Sequence, residues 1–260
     1  MQGRVLPLQG IYNFRDYGGY AARGGRLRSG MLWRSGQHCD ATPEDLAVVS
    51  GLGLGTVIDL RGDSERAANP CLRHENFAAD VLFYPGETAT AHGRAVHEEA
   101  ARGVRTADDA RAAMLALYER LAFREVLVGT FRLYLQALAT RDAPSLLHCL
   151  AGKDRTGVAA AIAHHLLGVH HDDIIEDYLL TNTAGDAEAR IAAGAVHVRA
   201  GFGRGMDDAA VRVLMGVEAE FLEHAFTAMV DRHGSIESYA RDVLGLTPEM
   251  LAGLEQRMVA

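Results

Sequence analysis

Apolar residues recur along this chain at two spacings, and the change from one to the other marks where strands give way to helices. Gly30-Met31-Leu32-Trp33-Arg34, Thr56-Val57-Ile58-Asp59-Leu60, Asp80-Val81-Leu82-Phe83-Tyr84-Pro85 and Ser145-Leu146-Leu147-His148 are short and mostly apolar, and each predicts a strand. Between them the period lengthens. Thr42-Pro43-Glu44-Asp45 supplies a cap, a proline at the first helical position and acids in the first turn, with Leu46, Val49 and Leu52 following as a stripe. Thr106 opens a second helix with Met114, Leu117, Tyr118 and Leu121, and a third carries Val128, Phe131, Leu135 and Leu138. Val158 to Ala163 is apolar on every side, the pattern of a helix packed all round.

Further helices are expected from Asp172 to Leu180, from Asp207 onward and from Thr247-Pro248-Glu249. The one starting at Asp207 reads as a single long element with Val211, Leu214, Phe221, Leu222 and Met229 near one face, interrupted only by Glu218. Such a stripe suits a core, a lid or a dimer face. Gly18-Gly19 and Gly24-Gly25 mark turns, residues 86–103 show no period and read as a long loop, and Gly201-Phe202-Gly203-Arg204-Gly205 reads as a hinge. Strands alternating with helices predict an α/β fold, and nothing divides residues 1–260 into two domains.

Composition narrows the function classes. With 48% hydrophobic and 23% charged residues the chain can bury a sizeable core. A net charge of −8 argues against nucleic acid as a partner and against broad attraction to an anionic membrane, while leaving room for a local basic pocket. No apolar run approaches the roughly 18 residues of a membrane span, and the N-terminus lacks a signal-peptide core. Three widely spaced cysteines, Cys39, Cys71 and Cys149, do not make a disulfide framework. The expected compartment is the cytoplasm, with export by a signal-peptide-independent route left open.

The chemistry concentrates in His148-Cys149-Leu150-Ala151-Gly152-Lys153-Asp154-Arg155-Thr156-Gly157, a C-x5-R string between an apolar strand and an apolar helix. A tight strand-to-helix turn aims consecutive amide N–H groups at one point, and the helix N-terminus adds positive potential there. A phosphate fits such a nest, formed by Leu150, Ala151, Gly152 and Lys153 with Thr156 and Gly157 behind them. A helix N-terminus also favours a thiolate over a thiol, which marks Cys149 as the nucleophile, and Thr156 could hydrogen-bond it. Arg155 offers a planar fork for two phosphoryl oxygens. Asp154 is read as the acid that protonates the leaving oxygen and then deprotonates the attacking water, or else as a carboxylate that orients Arg155 or a loop amide.

Several neighbours have open roles. His148 is expected to fix the loop rather than act as a base, and Asp59 and Asp63 stand as reserve acids. Arg15, Arg34 and Arg61 either enlarge a basic pocket or form structural ion pairs. Lys153 either meets substrate or pairs with an acid. Cys39 and Cys71 are either redox partners of Cys149 or ordinary thiols. His164-His165 and His170-His171 lack the i, i+4 spacing of a helical zinc site, so no metal and no cofactor are expected.

At these residues the chain resembles the protein-tyrosine phosphatase superfamily, and within it the bacterial atypical tyrosine/serine phosphatases whose loop reads H-C-x-x-G-K-D-R-T-G. Asn13-Phe14-Arg15-Asp16-Tyr17-Gly18-Gly19, Leu32-Trp33-Arg34-Ser35-Gly36, Ile58-Asp59-Leu60-Arg61, Asp177-Tyr178-Leu179-Leu180-Thr181-Asn182 and the segment from Tyr239 to Leu246 are also similar to that family. The resemblance implies a central, mostly parallel sheet flanked by helices, a cysteinyl-phosphate mechanism, Asp154 as the acid, and a helical lid at about 185–230. It implies phosphotyrosine as substrate, with phosphoserine and phosphothreonine beside it. A phosphoinositide or inositol-phosphate phosphatase is the alternative, and a silent phospho-ligand binder is disfavoured by the presence of a nucleophile.

Overall fold

The structure, a computed structural model, describes residues 3–88, 101, 103–185, 188, 189, 191, 192, 194–196 and 205–260. Its centre is a five-stranded sheet of β1 (Arg15–Asp16), β4 (Leu32–Ser35), β5 (Thr56–Asp59), β6 (Asp80–Leu82) and β7 (Ser145–His148), in the order β1-β4-β7-β5-β6. β1 is antiparallel to β4, and all other pairs are parallel. A small hairpin, β2 (Ala21–Ala22) with β3 (Gly25–Arg26), turns at Gly24, whose φ of 80° suits glycine.

The pleat divides the core. Leu32, Ile58 and Leu147 enter the main apolar cluster, whereas their neighbours Trp33, Val57 and Leu146 enter a smaller one with Ile11, Phe14 and Val49. The smaller cluster is roofed by α1 (Pro43–Ser50), which begins with the expected cap: Thr42 and Asp45 each accept the other's backbone N–H. After the short α2 (Asp63–Ala68), the main cluster is built from α3 (Ala107–Leu121), α4 (Glu125–Thr140), α5 (Asp154–Leu166), α6 (His171–Leu179), α7 (Asp208–Met215), α8 (Ala219–His233), α9 (Ile236–Asp242) and α10 (Pro248–Met258). Helix α5 is buried on every side from Asp154 to His164, as its unbroken apolar pattern predicts.

Two expectations change. The strand starting at Asp80 ends at Leu82 rather than Pro85, because it is an edge strand and the Tyr84 amide turns away to Thr130 Oγ1 at 3.3 Å. The long helix from Asp207 is two helices. The Asn182 side chain pairs with both backbone groups of Val217, at 2.8 and 2.9 Å, and takes the hydrogen bonds that would have carried α7 into α8. Glu218 stands at the residue before α8 and its carboxylate accepts from Arg111 Nε, so the residue that interrupted the stripe lies outside it. Phe221, Leu222, Ala225 and Met229 of α8 are core residues. The long loop and the hinge at 201–205 fall almost wholly outside the described residues.

Candidate active site

In the parallel part of the sheet, Ser35, His148 and Asp59 stand in one row across β4, β7 and β5. The chain therefore emerges at Cys149 from the middle of the C-terminal edge, where open α/β sheets bind their ligands. Cys149 is buried at 3% exposure. Gly152 has a φ of 66°, and a Cβ there would lie 2.4 Å from the Ser35 carbonyl. Only glycine fits, and its carbonyl accepts from Asn13 Nδ2 at 2.7 Å and Arg34 Nη2 at 3.1 Å. Leu150 and Ala151 are the half-buried part of the loop, with the Leu150 carbonyl fixed by the Gln37 amide at 2.9 Å. The amides of Leu150, Ala151 and Gly152 donate to no group among the described residues, so three N–H groups beside the thiol remain for an anion. Gly157 brings α5 against the Tyr178 ring, where a Cβ would approach within 2.8 Å.

Arg155 is buried and held by a partner that the sequence reading missed. Glu65, on α2, takes Nη1 and Nη2 of Arg155 at 2.5 and 2.8 Å, and Leu60 O and Thr88 Oγ1 bind Nη1 at 3.2 and 3.1 Å. Burial alone would make the guanidinium less basic, but Glu65, Cys149 and Asp154 outweigh it and push its pKa above the usual arginine value. Nε and one Nη2 proton of Arg155 make no bond to the described residues, leaving a two-donor fork. Glu65 carried one faint signal: it sits at the third position of a helix whose backbone start it caps, at 2.9 Å to the Gly62 amide.

Asp154 follows at the first position of α5. Tyr118 donates its hydroxyl to Asp154 Oδ1 at 2.7 Å, and Tyr178 joins Tyr118 at 2.6 Å. Burial, then the Asp154 charge, raise the Tyr118 pKa well above that of a free phenol, so it stays a donor. Tyr118 was expected only as part of a helix stripe. Lys153 is not an open cation at the loop tip: it is buried, donates Nζ to Leu214 O at the end of α7, and lies 3.5 Å from Asp154 Oδ1. Thr156 Oγ1 is buried with no hydrogen-bond partner, so the suggested bond to Cys149 is not made here.

The other cations are structural. Asp177, missed as a site residue, bridges Arg34 at 2.7 Å and Arg15 at 3.4 Å, and these guanidinium charges hold its pKa down at about 2 against the opposing effect of burial. Arg61 binds both oxygens of Asp59 at 2.7 to 3.2 Å, so Asp59 is not free as a reserve acid. Asp63 is half-exposed, pairs with Arg66 and accepts the Gly86 amide. His148 is fully buried; its Nδ1 reaches only the Cys149 carbonyl at 3.5 Å, and its ring lies against His38 with centroids 5.6 Å apart. Burial lowers its pKa to about 4, so it is neutral at pH 7.

Donor atoms of Asp59, Cys71 and His148 lie within 4.8 Å of one another, but the Arg61 guanidinium bonds both Asp59 and Cys71 and puts a cation there already. His164, His165, His170 and His171 each turn to a different partner. All three cysteines are free thiols.

A family model described as the tyrosine phosphatase family matches residues 6–260. The chain belongs to that family. It is 33% identical over 97% of its length to 89% of a protein of Cupriavidus necator named provisionally as a tyrosine-protein phosphatase. It is 28% identical over 92% of its length to 93% of the triple specificity protein phosphatase PtpB of Mycobacterium tuberculosis. Against the crystal structure of P. aeruginosa TpbA the likeness is weaker, with 21% identity, a TM-score of 0.31, and coverage of 72% of this chain and 87% of that one. This tyrosine phosphatase family member is a cysteine-dependent phosphoric monoester hydrolase acting on phosphorylated substrates. No helix among the described residues is long and apolar enough to cross a membrane.

Proposed function

We propose that the chain hydrolyses phosphotyrosine, with phosphoserine and phosphothreonine as further substrates, and that Cys149, Asp154 and Arg155 carry the reaction. Cys149 Sγ attacks phosphorus, the ester P–O bond breaks, and the proton on Asp154 passes to the leaving oxygen. Water then attacks the cysteinyl phosphate, gives its proton to Asp154, and the S–P bond breaks to release phosphate and the thiolate. The free amides of Leu150, Ala151 and Gly152 and the two uncommitted donors of Arg155 hold the phosphoryl oxygens through both steps.

The carrying observation is the pinned clamp: Glu65 fixes Arg155 at one end of the loop whose other end is Cys149, with Asp154 held between them by Tyr118. Breadth beyond tyrosine is supported by the likeness to a relative named for triple specificity. Engagement of Lys153 by Leu214 and Asp154 removes the extra cation on which a phosphoinositide preference would rest. We also infer that α7, which meets the loop through Leu214, is the part of the expected lid that touches the site.

Initial rates on phosphotyrosine, phosphoserine and phosphothreonine peptides and on soluble phosphoinositides, with Cys149→Ser as the blank, test this directly. Activity on the peptides that vanishes in the blank is expected. Activity surviving in Cys149→Ser, or requiring added metal, would overturn the mechanism, and a phosphoinositide as the best substrate would overturn the specificity.

A further inference from the structure

On the far side of the sheet from the main core, α1, the ends of β5 and β7, and the segment 72–78 enclose a cavity of about 210 Å³. Its walls are mostly apolar: Leu46, Val49, Val57, Phe77 and Leu146 all belong to the smaller apolar cluster. Leu72, at 46% exposure, stands at its mouth. One cation lines it. Arg73 is half-buried with its guanidinium 4.8 Å from the Phe77 ring centre, and Nη1 contacts His38 Nδ1 at 3.3 Å.

No carboxylate bonds Arg73 among the described residues. Asp59, the acid that acts on it through space, is bound by Arg61. Burial, and after it the Arg61 charge, pull the Arg73 pKa below the usual arginine value, and the Cys71 thiol that bonds it and the Asp59 charge recover only part of that loss. Every other largely buried guanidinium of the sheet, in Arg15, Arg34, Arg61 and Arg155, has a carboxylate on it. A desolvated cation at the edge of an apolar cavity calls for an anion with an apolar body.

We propose that this cavity binds a small amphipathic organic anion, its carboxylate paired with Arg73 and its apolar body on Val49, Val57 and Phe77. An apolar cavity of about 150 Å³ accommodates benzene, so this one has room for one aromatic ring or an acyl chain of about eight carbons. Inorganic phosphate lacks the apolar body, and an uncharged alcohol lacks the charge, so the site separates these ligands from one another. It also lies apart from the loop: Arg73 meets His38, and His38 meets His148, so two contacts intervene before Cys149.

The probes are octanoate, its uncharged counterpart octanol, and inorganic phosphate, titrated calorimetrically into the whole protein with orthovanadate saturating the loop. Trp33, the one tryptophan of the chain, belongs to the same apolar cluster and reports occupancy by fluorescence independently of activity. Octanoate is expected to bind at one site at least tenfold more tightly than octanol, with no phosphate binding there. Arg73→Gln should erase that tenfold preference, and Arg73→Lys should restore most of it. Equal binding of octanoate and octanol, no saturable binding of octanoate, or an unchanged preference in a folded Arg73→Gln each overturns the proposal. If Arg73→Gln does not fold, the ratio of octanoate to octanol in the native protein decides alone.

Discussion

Glu65 and Tyr118 do no chemistry themselves, yet they set what the two charged groups beside Cys149 can do. A guanidinium as buried as that of Arg155 costs several kcal/mol unless a carboxylate lies on it, and removing one partner of such a pair destabilises by about 3–5 kcal/mol. Glu65→Gln should therefore lower the midpoint of urea unfolding, and separately weaken vanadate binding by more than tenfold, because the fork loses its anchor. A variant with native stability and native vanadate affinity would show that Arg155 needs no such support. Tyr118→Phe removes the donor on Asp154 and, with it, the hydroxyl that Tyr178 meets. General acid catalysis matters most for a poor leaving group. The loss in kcat/KM, which reports transfer to Cys149, should thus be several-fold on phosphotyrosine peptides and small on para-nitrophenyl phosphate, with Asp154→Asn showing the same contrast at about 10²-fold or more. Equal losses in kcat/KM on both substrates would remove Asp154 as the acid for the leaving group. Cys149, Asp154 and Arg155 were legible as candidates because they are neighbours in one string of residue types that the proposed chemistry demands. Glu65 and Tyr118 were not, since each meets that string across a long stretch of chain, and neither periodicity nor composition records which distant side chains fold together.

At the scale of elements the most readable features were local ones. Thr42-Pro43, Thr106 and Thr247-Pro248 each satisfy helix-start amides from their own side chains, so the sequence marks those boundaries by itself. The break between α7 and α8 was hidden because its cause, Asn182, belongs to another element. The active-site turn lies between these cases: Gly152 is written in the motif, but the reason for it is the Ser35 backbone pressed against it. Gly152→Ala must relieve a 2.4 Å approach to backbone atoms as well as a left-handed φ. Gly24→Ala in the hairpin meets nothing within 4 Å and pays only the φ penalty, about 1–2 kcal/mol. Thermal unfolding should place Gly152→Ala clearly below Gly24→Ala, and only Gly152→Ala should weaken vanadate binding. The contact between Lys153 and Leu214 gives a further test for α7. If that helix covers the loop, cleavage by a protease within or beside residues 205–218 should slow when vanadate is bound and quicken in Lys153→Met, whereas identical rates in all three cases would make α7 a fixed wall.

Taken as a whole, the molecule carries a net charge of −8 and yet encloses the guanidinium groups of Arg34, Arg61 and Arg155 at the sheet edge, each on a carboxylate. The buried histidines are different: Asp59 lies 3.7 Å from His148 Nε2 and the Tyr17 carbonyl 2.7 Å from His164 Nε2, but burial outweighs what either offers a proton on the ring. Burial holds His148 at about 4, and His38 and His164 are also shifted down, His38 by burial and by His148 beside it. An unfolded chain takes up protons at these three residues as pH falls through about 6.5, while the folded chain does not until lower pH. Below 6.5 the unfolded state therefore binds more protons, and stability must fall as pH falls from 6.5 toward 4. The depressed carboxylates act later and in the same direction: Asp177, held at about 2, contributes stability above pH 3.8 that is lost as pH drops through 2. Acid sensitivity should thus begin two pH units above the carboxylate range. Urea midpoints measured from pH 8 to pH 4 should be level above 7 and decline steadily below 6.5, with His164→Gln, remote from the loop at the Tyr17 carbonyl, flattening part of the slope. A midpoint that stays constant down to pH 4.5 would mean that the histidines admit water and protons in the folded protein, and that the sheet edge around His148 is less dry than its burial implies.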